Sequence, residues 1–315
     1  MRLSAPRFRG IIPGVTPFRL LVACGLLGLS VACSSDKTPD EPGAGGETSS
    51  GGTSNAGSTS SAGKGAELEP SCPKGTNPYG DAKPTAISSV NGQIVDEQGK
   101  PTSSGLVQIC GRDLCLKAEV GNNGKLAENP NKTLDTPALK WGDGFGWAKV
   151  AVPLAAGDSE LGTLIATPLP SFTEGVPLMA GTSASSGGVT LELADDAQVV
   201  VDKPAYAPEE RGFRAVPLPA DTLTRLGQDF VVAYGLSPLE TRICPSPALM
   251  LENTTELEAG TALELYMLGL DVEEVWAPYG QWQRVGDGSV SDDGKTLEFP
   301  DGIPLLTAIG VKVKP

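Results

Sequence analysis

Short runs of apolar residues, each bounded by turn-forming residues, recur along the chain from residue 90 onwards. The clearest occupy residues 90–96, 106–110, 147–152 and 230–234, and they are rich in β-branched or aromatic side chains. Such side chains pack well on a pleated sheet, and the Gly, Pro, Asn and Asp between the runs favour turns. Only residues 220–226 carry a helical spacing, of about two turns. The pattern predicts an all-β fold built from two β-sandwich domains.

The first 33 residues follow a different pattern. Four arginines lie among the first 19 residues, ahead of a 13-residue apolar run at 20–32 and then Cys33. This run suits a signal peptide and is shorter than the roughly 20 residues that span a bilayer. The order resembles a bacterial lipoprotein signal peptide, in which the cysteine after the cleavage point is lipidated. The resemblance implies that residues 1–32 are removed and that Cys33 carries the lipid.

Two other interpretations of this segment remain open. Cys24 also follows a lipobox-like triplet, but only four apolar residues separate it from Arg19. Cleavage near Ala32 without lipidation is the other alternative. Ser34 stands where an aspartate would indicate retention at the inner membrane. For a Gram-negative host, the resemblance to sorted lipoproteins therefore implies an outer-membrane location.

Residues 33–70 are dominated by Gly, Ser, Thr, Ala and Glu. Such a composition cannot bury enough apolar surface to fold, so we expect a disordered linker with an end-to-end distance of roughly 30 to 35 Å. Glycosylation of its Ser and Thr residues is an alternative role. The remainder is long enough for two domains. We place them at residues 71–170 and 171–315.

Charge and histidine content narrow the function. The chain has 24 Lys+Arg and 38 Asp+Glu, and removing a signal with four arginines leaves 20 minus 38, or −18. So acidic a protein is unsuited to nucleic acid or anionic lipid surfaces. The chain has no histidine, which excludes Ser-His-Asp catalysis, histidine-ligated metals and c-type haem. We predict no cofactor, no metal and no enzymatic activity, with a carboxylate-pair hydrolase as an alternative.

Four cysteines remain after removal of the signal and the lipidated residue. An even number in an exported protein predicts two disulfides. Cys110 and Cys115 flank a four-residue turn between two strand-like runs, so they can pair across a hairpin. That pairing leaves Cys72 to bond with Cys244. A four-thiolate zinc site is the alternative, and the cysteine spacing fits it poorly.

Residues 90–101, followed by 105–109, have a family pattern. The order Gly-x-Ile-x-Asp-x-x-Gly-x-Pro and then Gly-x-Val resembles the opening hairpin of carboxypeptidase regulatory-like domains. In that family, Val is common at the position of Ile94 and Ala at the position of Gly105. The resemblance covers residues 86 to about 165. It implies a transthyretin-like sandwich of about seven strands for residues 71–170 and a module that is usually non-catalytic. Within the second predicted domain, residues 187–315 look like a β-rich domain of uncharacterised bacterial surface lipoproteins.

Two aromatic clusters are candidates for ligand contact. Trp276, Tyr279 and Trp282 lie around a Pro-Gly turn, and Trp141, Phe145 and Trp147 lie in a glycine-spaced segment. Exposed rings of this kind can hold sugars, whereas aromatics near turns more often fill the core. Asp-Gly turns at 142–144, 287–288 and 292–294 offer oxygen ligands for calcium, but Asp-Gly is also what a tight turn requires.

These observations favour a non-catalytic, lipid-anchored cell-envelope protein with a structural, adhesion or protein-contact role. The alternative is a carbohydrate or peptidoglycan binding module that uses the aromatic clusters. The expected partners are the membrane, through the anchor at Cys33, and a glycan or an envelope protein.

Overall fold

The computed structural model describes residues 83–103, 105–201, 205–271 and 275–315. The predicted signal peptide, the lipidation site Cys33, the linker and Cys72 lie outside these residues. The described residues are almost entirely strands and turns, which confirms the all-β prediction. None of the helices in this part of the chain is long and apolar enough to cross a membrane.

The first half of the fold is a sandwich of two four-stranded sheets. One sheet has the order β4-β1-β5, with β8 parallel to β1, and the other has the order β3-β2-β6-β7. Both sheets contribute to one apolar core, which includes Ile87, Ile109 and Leu139. The strands are β1 (Pro84–Val95), β2 (Val107–Cys110), β3 (Cys115–Lys117), β4 (Lys125–Glu128), β5 (Lys132–Asp135), β6 (Ala138–Trp141), β7 (Val150–Pro153) and β8 (Gly157–Ile165).

The turns of this sandwich follow the sequence pattern. Asp96 accepts hydrogen bonds from the backbone amides of Gln98 and Lys100, and Gly99 adopts a φ of 76°. Only glycine takes this conformation without steric cost. At the next hairpin, Cys110 and Cys115 form the predicted disulfide, with their Cα atoms 4.0 Å apart.

The second half is one curled sheet with a small ribbon beside it. Nine antiparallel strands follow the order β12-β13-β19-β16-β17-β18-β15-β10-β9, and β11 pairs with β14. The strands are β9 (Ser183–Ser186), β10 (Val189–Glu192), β11 (Gln198–Val200), β12 (Arg214–Pro217), β13 (Val232–Ser237), β14 (Arg242–Cys244), β15 (Ala248–Glu252), β16 (Ala262–Leu268), β17 (Trp282–Val290), β18 (Thr296–Phe299) and β19 (Ile309–Val313).

The two edge strands of this sheet approach each other. The backbone amide of Ala215 on β12 donates to the hydroxyl of Ser186 on β9, at 3.1 Å. The sheet therefore nearly closes around a second apolar core, between a sandwich and a barrel in form. Alternating apolar positions specify which face is buried, but they do not specify whether a sheet folds over or curls.

The predicted helix is present as α1 (Ala220–Arg225). Two single-turn 3₁₀ helices, Phe172–Glu174 and Pro208–Glu210, lie between strands. The first core also contains side chains from beyond residue 170, among them Tyr206, Phe230 and Leu239. The two halves thus share buried surface, and the domain boundary at 170 stays a sequence prediction.

Candidate functional site

The glycine-spaced segment at residues 142–147 forms a tight loop after β6. The Asp143 Oδ1 atom accepts hydrogen bonds from the backbone amides of Phe145, Gly146 and Trp147, at 2.8, 2.9 and 3.0 Å. One carboxylate oxygen thereby satisfies three consecutive donors. Asp143 holds a turn, as Asp-Gly sequences commonly do.

This loop docks onto the second half of the fold. The Ser237 hydroxyl donates to the Gly144 carbonyl at 2.9 Å, and the Arg214 guanidinium donates to the Phe145 carbonyl at 2.7 Å. The Phe145 ring stacks on the Tyr206 ring, with centroids 4.6 Å apart. The loop at 142–147 and the residues that receive it are called the junction below.

Arg214 is the central residue of the junction. It lies on β12 and is 1% exposed. Besides the Phe145 carbonyl, its guanidinium contacts the Pro170 carbonyl at 3.0 Å, the Ser237 hydroxyl at 2.9 Å and the face of the Phe172 ring at 4.1 Å. Burial lowers its pKa. A buried cation that bonds to carbonyls on two separate segments fixes the position of both.

Two glycines let the junction loop approach its neighbours. Gly142 has a φ of 85°, and a Cβ atom there would lie 1.9 Å from the Ala148 carbonyl oxygen. Gly144 has a φ of 79°, and a Cβ atom there would lie 2.1 Å from the Leu239 side chain. No other residue type fits these backbone positions without displacing its surroundings.

A second buried cation, Lys140 on β6, also connects the two halves. Its ammonium group donates to the Leu270 carbonyl and lies 4.2 Å from the centroid of the Tyr279 ring. Burial, followed by repulsion from Lys149, lowers the pKa of Lys140 to about 8. Burial also raises the pKa of Tyr279, whose hydroxyl has no hydrogen-bond partner among the described residues.

Tyr206 completes the junction. Its hydroxyl accepts a hydrogen bond from the Leu239 amide at 2.8 Å. Burial raises the pKa of Tyr206 to about 12. The phenol therefore stays neutral and serves as a hydrogen-bonding group in a packed environment.

The Lys140 pKa predicts a pH dependence of stability. Below about pH 8, Lys140 is charged in both the folded and the unfolded state, so the folded protein bears the full cost of burying the charge. Between about pH 8 and the usual 10.5, the folded state loses the proton first and the cost is relieved. Lys140 should thus raise the free energy of unfolding by about 2 kcal/mol between pH 7 and 9.5. Denaturant unfolding at both pH values measures this gain.

The matched variants are Lys140→Met, which should lose this gain, and Lys117→Met, which removes an exposed lysine on β3 and should keep it. Parallel pH profiles for wild type and Lys140→Met would contradict the assignment. Lys149, whose pKa is lowered mainly by burial, acts in the same direction as Lys140. Tyr206 opposes them only above about pH 10, its ordinary pKa.

The structure corrects the predicted ligand-contact residues in the first aromatic cluster. Trp141 is 1% exposed, and its indole nitrogen donates to the Ile165 carbonyl at 3.0 Å. Its place on β6, a strand buried on both faces, makes it a core residue. Trp147 is half-buried against the same core. These two residues therefore do not form an exposed platform.

The second aromatic cluster is also packed inward. Tyr279 is 5% exposed beneath Lys140, so it cannot contact a ligand at the surface. Trp282 is half-buried, and its ring meets the Phe230 ring edge-on with centroids 4.7 Å apart. Trp276 packs on the second core. Four surface grooves of about 240 to 560 Å³ are lined by none of the five aromatic residues.

The other Asp-Gly turns have internal partners as well. Asp293 accepts hydrogen bonds from the Lys295 amide and the Ser291 hydroxyl, which lower its pKa to about 2. Asp287 contacts Arg284 and Lys314, and these hydrogen bonds lower its pKa. Within the described ranges, no three acidic or thiol groups converge on a possible metal position. Residues 292–294 form the predicted turn, whereas the prediction of a turn at 287–288 is wrong: Asp287 and Gly288 lie within β17 and pair with Glu264 and Leu263 of β16.

Sequence reasoning missed the residues that dominate the junction. Arg214 and Lys140 each interrupt an apolar strand, in Phe-Arg-Ala-Val and Ala-Leu-Lys-Trp respectively. A charged residue inside a buried strand is rare unless it has partners. That interruption was the available signal, although the sequence does not reveal the partners.

Comparisons with known proteins are sparse. No protein-family model matches the chain, and no curated protein matches it. Among solved structures, the chain is similar to a candidate carbohydrate binding protein from Bacteroides uniformis, at 12% identity and a TM-score of 0.20. The alignment covers 64% of this chain and 98% of that one. So low a score carries no argument about fold or function, and the resemblance to carboxypeptidase regulatory-like domains stays a prediction.

Proposed function

We propose that this chain is a non-catalytic, lipid-anchored cell-envelope protein whose folded part is a single rigid unit with a structural or protein-contact role. The observation that carries the proposal is the junction. Arg214, Lys140 and Tyr206 are buried groups with polar or ionisable side chains, and all of them make internal contacts that join the two halves.

The same groups are poorly placed for catalysis. The Ser237 hydroxyl is fully buried and donates to a backbone carbonyl. Burial raises the pKa of Tyr206, so the phenol stays protonated at neutral pH and the nucleophilic phenolate is not populated. The Lys140 amine has a lowered pKa but is covered by Tyr279. A nucleophile must reach its substrate, so these groups support a positioning role.

The proposed location comes from the N-terminal pattern. The apolar run ending at Cys33 resembles a lipoprotein signal, and the Gly/Ser/Thr-rich segment after it suits a spacer. We propose that the lipid on Cys33 holds the protein at the outer membrane. The acidic surface fits a protein or glycan partner better than a polyanion.

A fractionation experiment tests the anchor. In cells given a radiolabelled fatty acid, Cys33→Ser should abolish labelling and release the protein from the membrane fraction. Cys24→Ser is the matched control and should change neither. Retention of the Cys33→Ser protein in membranes would refute the anchor.

Binding assays separate the contact role from the glycan alternative. A glycan-binding role would use the half-buried Trp147, Trp276 and Trp282. We expect the purified mature chain to show no glycan binding on an array and no hydrolysis of polysaccharide or peptidoglycan. Binding lost in Trp282→Ala would favour the glycan alternative, and turnover lost on replacing a single Asp or Glu would favour the hydrolase.

A further inference from the structure

The six cysteines of the chain restrict the partner of Cys244. Cys110 and Cys115 bond to each other. Cys244 is 1% exposed and is also disulfide-bonded. Its partner must therefore be Cys24, Cys33 or Cys72. The first of these belongs to the predicted signal peptide and the second to the predicted lipid attachment.

Cys244 lies at a firmly held position in the second half. It is on β14, opposite Gln198 of β11, and the neighbouring Ile243 is fully buried in the second core. The other side of β14 is tied through the bridge between Arg242 and Leu305. A covalent attachment at Cys244 thus connects to the β11–β14 ribbon, which packs on the second core through Ile243.

The first described residue, Lys83, is instead held by the first sandwich. The Lys83 amide donates to the Asp135 carboxylate at 2.8 Å, and the Lys83 carbonyl accepts from the Thr136 amide at 3.0 Å. Cys72 lies 11 positions before Lys83. Eleven extended residues reach up to about 40 Å, which is comparable to a domain diameter.

We propose that Cys72 bonds to Cys244 and that this disulfide makes β14 the attachment point of the tether. A pulling force on the residues before 72 is then transmitted to the second half. The first sandwich lies inside the covalent loop from 72 to 244 and carries no load. The role of the tether rests on the proposed anchor at Cys33, whereas the bond itself does not.

Single-molecule stretching tests the proposal. The mature chain, beginning at residue 33, is held by handles at its two ends and fully unfolded. The oxidised chain should be shorter than Cys244→Ser by about 600 Å, because 244 minus 72, or 172 positions, less the five still closed by Cys110 and Cys115, extend by about 3.6 Å each only in the variant. Wild-type protein reduced with a phosphine serves as the second comparison if the serine variant does not fold.

The matched control is Cys110→Ser, which should leave the length of the oxidised chain unchanged because residues 110 and 115 lie inside the loop closed by Cys72 and Cys244. Equal lengths for wild type and Cys244→Ser would overturn the proposal. A difference of about 740 Å would also overturn it, because that length corresponds to a bond with Cys33. The result does not depend on lipidation, so failure of the anchor and failure of this disulfide are distinguishable.

Discussion

Replacing Arg214 with alanine is expected to lower the free energy of unfolding by about 3 kcal/mol or more. The guanidinium bonds to the carbonyls of Phe145 and Pro170 and to the hydroxyl of Ser237. Its removal leaves these buried acceptors without their donor and opens space against the Phe172 ring. Urea denaturation followed by tryptophan fluorescence measures the loss.

Two further variants define the cause. Arg214→Lys keeps the charge but lacks the planar fork, so it should recover only part of the stability. Arg284→Ala removes an exposed arginine on β17 and should shift the unfolding midpoint little. If Arg214→Ala unfolds at the same urea concentration as wild type, the junction does not depend on this cation.

Gly142→Ala should cost about 3 to 4 kcal/mol. The new Cβ atom would lie 1.9 Å from the Ala148 carbonyl oxygen, and the φ of 85° is unfavourable for alanine. The obstacle is backbone, so it cannot move aside as a side chain could. Thermal unfolding of the purified variant measures the effect.

Gly146→Ala is the matched control within the same loop. A Cβ atom at Gly146 would meet nothing within 4 Å. Its amide would keep the hydrogen bond to Asp143. We expect wild-type stability for this variant, and equal destabilisation by both substitutions would show that the loop tolerates no side chain for a reason other than this close approach.

Much of the fold could be predicted because its local signals are strong. The run at 230–234 is largely in β13, the run at 106–110 contains β2, and the helix at 220–226 ends within one residue of α1. The hairpin spacing of Cys110 and Cys115 was sufficient to predict their bond. These features depend on residues close together in sequence.

The candidate site could not be predicted in the same way. Trp141 and Tyr279 lie near glycines, which favours an exposed turn, but long-range packing buries both. The contacts of Arg214 join residues 69 and 44 positions apart in the sequence. No local pattern encodes such separations, so charged residues in apolar strands were the only indication of the junction.

Differential scanning calorimetry of the mature chain tests the central claim most directly. If the junction makes the two halves one rigid unit, wild type should unfold in a single transition whose calorimetric and van't Hoff enthalpies agree. Arg214→Ala should lower the temperature of that transition or split it in two. Two independent transitions in wild type, only one of them shifted by Arg214→Ala, would contradict the account.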